Sequence, residues 1–103
     1  MPSPEEILLN ILGEVCRGKC LEDECKVFSE VLERLEYSLK LNEELDENTR
    51  NGIIIGVISS HIERMIKVAD EKGCTREVEL LKEASYYISV LLQLSMYQRS
   101  RET

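Results

Sequence analysis

The chain has 103 residues, 43% apolar and 32% charged, with a formal net charge of −7. That length supports one domain, 1–103, whose single core hides roughly 60 to 70% of the unfolded surface, and the apolar share excludes a disordered chain. The acidity opposes phosphate backbones and anionic lipid, so neither nucleic acid nor a membrane is an expected partner.

The one short basic cluster, Arg99 and Arg101, is diluted by Glu102. No stretch approaches the roughly 20 apolar residues that span a bilayer. The opening Met1-Pro2-Ser3-Pro4-Glu5-Glu6 lacks the basic region of a signal peptide. The expected location is the cytoplasm.

Ser3-Pro4-Glu5-Glu6 predicts a helix start, with Ser3 as N-cap, Pro4 at the first helical position and Glu6 closing a capping box. The first helix carries Leu8, Ile11, Leu12, Val15 and Cys16 on one face and ends near Gly18, because glycine terminates helices at low cost. A second helix resumes near Glu22. It repeats Cys25, Phe28, Leu32, Leu35 and Leu39 at spacings of three and four, the apolar seam of a bundle helix.

The polar stretch from Asn42 to Gly52 contains Asp46 and Asn48, either of which can cap a third helix. That helix places Ile54, Ile55, Ile58, Ile62, Met65 and Ala69 on one face and stops at Gly73. Residues Ile53 to Ile58 are rich in β-branched side chains and fit a strand after an Asn51-Gly52 turn, but no other segment offers a strand partner. Thr75 is the expected cap of a fourth helix, which presents Leu81, Ala84, Ile88, Leu91, Leu92 and Ser95 inward and ends near Gln98. Short links favour antiparallel neighbours, so the expected fold is an all-α, four-helix, up-down-up-down bundle with a short first helix.

In that topology the first and third links share one end of the bundle. Cys20 lies on the first and Cys74 on the third, while Cys16 and Cys25 stand at matching heights on the apolar stripes of the hairpin between them. Three readings fit four converging cysteines. They are two disulfides, Cys16 to Cys25 and Cys20 to Cys74; ordinary buried thiols; or a tetrathiolate zinc or iron–sulfur site. The spacing Cys16-x3-Cys20-x4-Cys25 lacks the close-paired knuckle of usual metal ligands, so no metal and no cofactor is expected. Cytoplasmic disulfides persist in hyperthermophilic archaea. Glu supplies seventeen of the twenty acidic residues, a bias that points weakly the same way, to a thermophilic archaeon or one of its viruses.

A second feature sits at the opposite end. The third helix is apolar on nearly all sides from Gly52 to Ile62, with Gly52, Gly56 and Ser60 forming a small-residue ridge. The fourth behaves alike from Tyr87 to Tyr97. A first helix of about fourteen residues reaches only about 21 Å and falls short of that end. The uncovered surface, made of Gly52, Ile53, Gly56, Val57, Ser60, Tyr87, Val90, Leu94 and Tyr97, is the expected homodimer interface. The alternative is that the ridge packs inside the monomer.

Catalytic patterns are scarce. Glu43-Glu44-Leu45-Asp46-Glu47 resembles the Glu-Glu-x-x-Glu start of all-α nucleotide pyrophosphohydrolases, which bind magnesium through carboxylates of two helices. The matching Glu-x-x-Asp is missing, because Lys67 stands where its Glu would precede Asp70. His61, the single histidine, has no acidic residue three positions earlier to make a metal pair. The sequence therefore points to a non-enzymatic protein–protein interaction module. The alternative function is a four-cysteine metal or redox module.

Overall fold

The computed structural model describes residues 2–102, with side chains through Tyr97. Met1 and Thr103, and the side chains of Arg99 and Arg101, lie outside the described residues. Four helices follow in order: α1 (Pro4–Arg17), α2 (Glu22–Leu41), α3 (Glu47–Glu71) and α4 (Thr75–Glu102). Among the described residues there is no strand. The β-branched run Ile53 to Ile58 is helical because its every-third-or-fourth apolar spacing buries one side in a helical core, and it has no sheet to join.

The caps explain where the helices begin and end. Ser3 Oγ accepts from the Glu6 amide at 3.2 Å, and Asp46 Oδ1 accepts from the Thr49 amide at 2.7 Å, each filling an orphan donor of a first turn. The third link is a Schellman turn. Gly73, at φ 74°, donates its amide to the Asp70 carbonyl at 3.1 Å, and the Cys74 amide reaches the Ala69 carbonyl at 2.9 Å. The Cys74 carbonyl then accepts the first helical bond of α4 from Val78 at 3.1 Å. Cys74, and not the expected Thr75, is thus the flanking residue of α4, and it closes α3 as well.

Gly18 departs from expectation in another way. It ends α1 in extended backbone, φ −79° and ψ 165°, which any residue adopts. Conformation does not require glycine there. Space is tight instead, since a Cβ on Gly18 would lie 3.1 Å from Glu77 Oε1 and the carboxylate would have to shift by a few tenths of an ångström.

The helices surround one apolar core, with α4 packed closely between α1 and α3. Leu8, Ile11, Leu12 and Val15 of α1 and Ile58, Ile62, Met65 and Ala69 of α3 meet Val78, Leu81, Ala84, Ile88 and Leu91 of α4. The neighbour pairs α1–α2, α2–α3, α3–α4 and α4–α1 are those of an up-down-up-down bundle. Helix α2 is the loosest member. It buries only Phe28 and Leu39 fully, leaving Cys25, Leu32 and Leu35 of its seam half-buried. Leu21, on the first link, is wholly buried and pins the start of α2 to the core.

One inward assignment on α4 fails, and the helix ends later than expected. Leu92 is exposed, since Leu91 and Ile88 already fill the contact of α4 with α1 and α3. Helix α4 also runs past Gln98 to Glu102, a length that no glycine or proline interrupts. No helix among the described residues is long and apolar enough to cross a membrane.

Candidate functional site

Two regions at opposite ends of the bundle carry the features that the sequence singles out. At one end, disulfides join Cys16 to Cys25, with Cα atoms 5.8 Å apart, and Cys20 to Cys74, with Cα atoms 6.5 Å apart. All four cysteines are therefore oxidised in this structure. The first bond ties α1 to α2, and the second ties the first link to the third. The bonds differ in surroundings. Cys16 is exposed, contrary to its expected place on the apolar stripe, because Val15 and Leu12 occupy the inward positions of that turn. Cys20 and Cys74 are half-buried against the core.

Glu77 lies beside the second disulfide and is only 8% exposed, the one charged residue among the described residues that is buried. One ligand atom each from Cys20, Cys74 and Glu77 falls within 4.8 Å of the other two. The carboxylate is neutralised by Arg76, whose Nη1 lies 3.1 Å from Glu77 Oε1, and Arg76 Nη2 reaches Glu14 Oε2 on α1 at 3.3 Å. Lys72 Nζ donates to the Cys20 carbonyl at 3.0 Å. Glu77 also lies in the first turn of α4, where the helix dipole favours an anion. Cys16 and Cys25 stand outside this three-residue group, so the cluster offers two sulfurs and a carboxylate in place of four sulfurs.

At the other end, a groove of about 370 Å³ opens between all four helices. Leu8 and Leu9 of α1, Leu32 of α2, Ile54, Ile55 and Ile58 of α3 and Leu91 and Leu94 of α4 line it, with Glu5, Glu36, Asn48 and Asn51 among its polar residues. The short first helix does reach this end and forms one wall, which corrects the expectation that it falls short. It does not fill the groove. Leu9 remains 59% exposed and Leu94 48% exposed.

The expected interface residues divide in this setting. Leu94 lines the groove; Ile53 and Tyr97 are exposed beside it. Gly56 and Ser60 lie on an exposed outer face of α3, with nothing within 4 Å of a Cβ built on Gly56, so this part of the ridge packs against no other helix. Gly52, Val57 and Val90 are half-buried. Tyr87 packs against the core and edge-on to Tyr86, 5.3 Å between ring centres, and so is partly used inside the monomer.

His61 is a boundary residue, half-buried and stacked on Phe28 of α2 with ring centres 5.2 Å apart. A shallower cavity beside it, about 220 Å³, is lined by Asp23, Glu24, Val27, His61, Arg64 and Met65. Residues Glu43 and Glu44 are exposed on the second link, and Asp46 is occupied in capping α3.

Sequence reasoning missed Glu77 and the groove walls Leu8, Leu9 and Leu32. An acidic residue in a first helical turn reads as a dipole partner in solvent. The available signal was its place three residues after Cys74, on the same helical face. No family model matches this chain, and no curated protein or solved structure matches it.

Proposed function

We propose that the protein is a small assembly module that pairs with a second copy of itself through the groove end of the bundle. The observation that carries this reading is the apolar groove and its continuation into exposed apolar residues of α4, Leu94, Met96 and Tyr97. Helix α4 has 28 residues against 14 in α1, so it extends about 42 Å where its neighbour extends about 21 Å. Its final turns have no α1 beside them. A two-fold pairing would lay the same surface of each copy against the other and cover both ends at once. Gly56 and Ser60, small and exposed, lie on the outer face of α3 and do not line this groove.

The reading is non-enzymatic and places the chain in the cytoplasm of a thermophilic archaeon or one of its viruses, where two disulfides persist. The acid-rich surface supports a protein partner over nucleic acid or membrane. Sedimentation equilibrium of the oxidised chain tests the pairing. The expected result is a mass that rises with concentration to twice that of the chain; a monomer mass throughout, at high concentration, overturns it.

A further inference from the structure

We infer that Cys20, Cys74 and Glu77 form a zinc site when the Cys20–Cys74 disulfide is reduced. Two sulfurs and one carboxylate oxygen already lie within 4.8 Å of one another, a spread that a metal at the centre could bridge with modest side-chain movement. The 6.5 Å between the Cα atoms sits at the wide end of the disulfide range, so that once the bond is reduced the side chains can rotate to set the two sulfurs apart around a metal. Zinc takes thiolate sulfur at about 2.3 Å and carboxylate oxygen at about 2.0 to 2.2 Å, and three protein ligands leave its fourth position to water. Two thiolates do not suffice for an iron–sulfur cluster, which uses four protein ligands.

Three features of the surroundings suit such a site. The ligands come from elements that the Schellman turn and the buried Leu21 hold in place, so little ordering remains to be done on binding. Two thiolates and a carboxylate exceed the charge of Zn²⁺ by one, and Arg76 and Lys72 stand beside the group to balance it. Gly18 supplies the third. Its backbone conformation is open to any residue, yet a side chain there would crowd Glu77 Oε1 at 3.1 Å, so the glycine keeps the space around the carboxylate clear.

The chemistry balances without an unstated partner. One thiol of a reductant attacks the Cys20–Cys74 bond to form a mixed disulfide with one cysteine and release the other, and a second thiol attacks that mixed disulfide. The two reductant molecules leave as their own disulfide, having passed two electrons and two protons to the cysteines. Zn²⁺ then binds both sulfurs as thiolates and releases those two protons. A disulfide oxidant reverses the exchange: it takes two electrons from the two thiolates, leaves as two thiols, re-forms the Cys20–Cys74 bond and so releases Zn²⁺. Glu77 remains paired with Arg76 in either state, and Cys16 and Cys25 take no part.

The test is an anaerobic titration of the fully reduced chain with Co²⁺ and then Zn²⁺, following the thiolate-to-cobalt absorption, the metal content and the protons released. The expected result is one metal and two protons per chain, with a cobalt spectrum of a tetrahedral site holding two thiolates. Cys20→Ser with Cys74→Ser abolishes binding. Cys16→Ser with Cys25→Ser leaves it unchanged, and Glu77→Gln weakens it by about tenfold or more. Absence of stoichiometric binding, loss of binding in the Cys16/Cys25 variant, or indifference to Glu77→Gln each overturns the proposal. Circular dichroism guards against a folding artefact. If the reduced chain loses helix, added zinc must restore it, and failure to do so counts against the site.

Discussion

The two ends of this bundle are built from the same four helices but are held by different means. At the cysteine end the core is tight: Val15, Leu21, Ala69 and Leu81 are fully buried, two disulfides cross between elements, and Arg76 and Lys72 bridge α1, α4 and both links. At the groove end the same helices line an apolar hollow, and Arg50 Nη2 of α3 donates to the Asn42 carbonyl on the second link at 3.2 Å. The difference teaches that covalent closure compensates for a helix, α2, that buries few side chains of its own. The groove end is where apolar side chains stay exposed.

The strongest way to break this contrast is to open the staples. In the loop-entropy account, a bond spanning 54 residues contributes about 4 kcal/mol and one spanning 9 contributes about 2.5 kcal/mol. Replacing Cys20 and Cys74 by serine is therefore expected to cost about 4 kcal/mol in urea unfolding of the oxidised chain, and replacing Cys16 and Cys25 about 2.5 kcal/mol. If the Cys16–Cys25 variant suffers more, the attachment of α2 outweighs loop length.

A smaller pair of changes compares the turns at the two ends. Gly73→Ala puts a Cβ on a residue at φ 74°, where an L side chain costs about 1 to 2 kcal/mol, although nothing lies within 4 Å of that Cβ. Asp46→Ala removes the carboxylate that caps α3 at the groove end, an expected loss of about 1 kcal/mol. Thermal melts of both variants check the sizes, at roughly 4 to 8 °C per kcal/mol for a domain of this length. Equal tolerance of Gly73→Ala and wild type would mean that the third link relaxes, and the rigid placement of Cys74 would fall with it.

Much of this arrangement is legible in the residues. Ser3, Asp46 and Gly73 mark helix boundaries because capping and left-handed turns are local chemistry. The convergence of the four cysteines follows from helix count and short links, since antiparallel hairpins bring the first and third links together, although sequence alone leaves disulfides, thiols and a metal site open. What stays hidden depends on how far apart the helices stand. Leu9 and Leu92 belong by type to an apolar face yet lie exposed, Leu9 because it opens onto the groove and Leu92 because Ile88 and Leu91 already fill the contact of α4 with its neighbours. Glu77 is buried beside the first link, where a Cβ on Gly18 would lie 3.1 Å from its Oε1. Neither fact has a periodicity to betray it.

The finest discriminator between the ends is Leu94→Ser. This side chain lines the groove but is already 48% exposed, so the isolated chain loses only part of its burial, about 1 kcal/mol or less. Association should respond far more. An anchor residue at the centre of an interface contributes about 2 kcal/mol, and a two-fold pair loses it from both copies, about 4 kcal/mol or roughly 10³-fold in dimer affinity, while the melting temperature of the monomer falls by only a few degrees. Measured together, the mass distribution and the melt separate a residue that holds the fold from one that holds a partner. A melting loss as large as that from opening Cys16–Cys25, with association unchanged, would make Leu94 part of the core and leave the groove end no different in kind from the cysteine end.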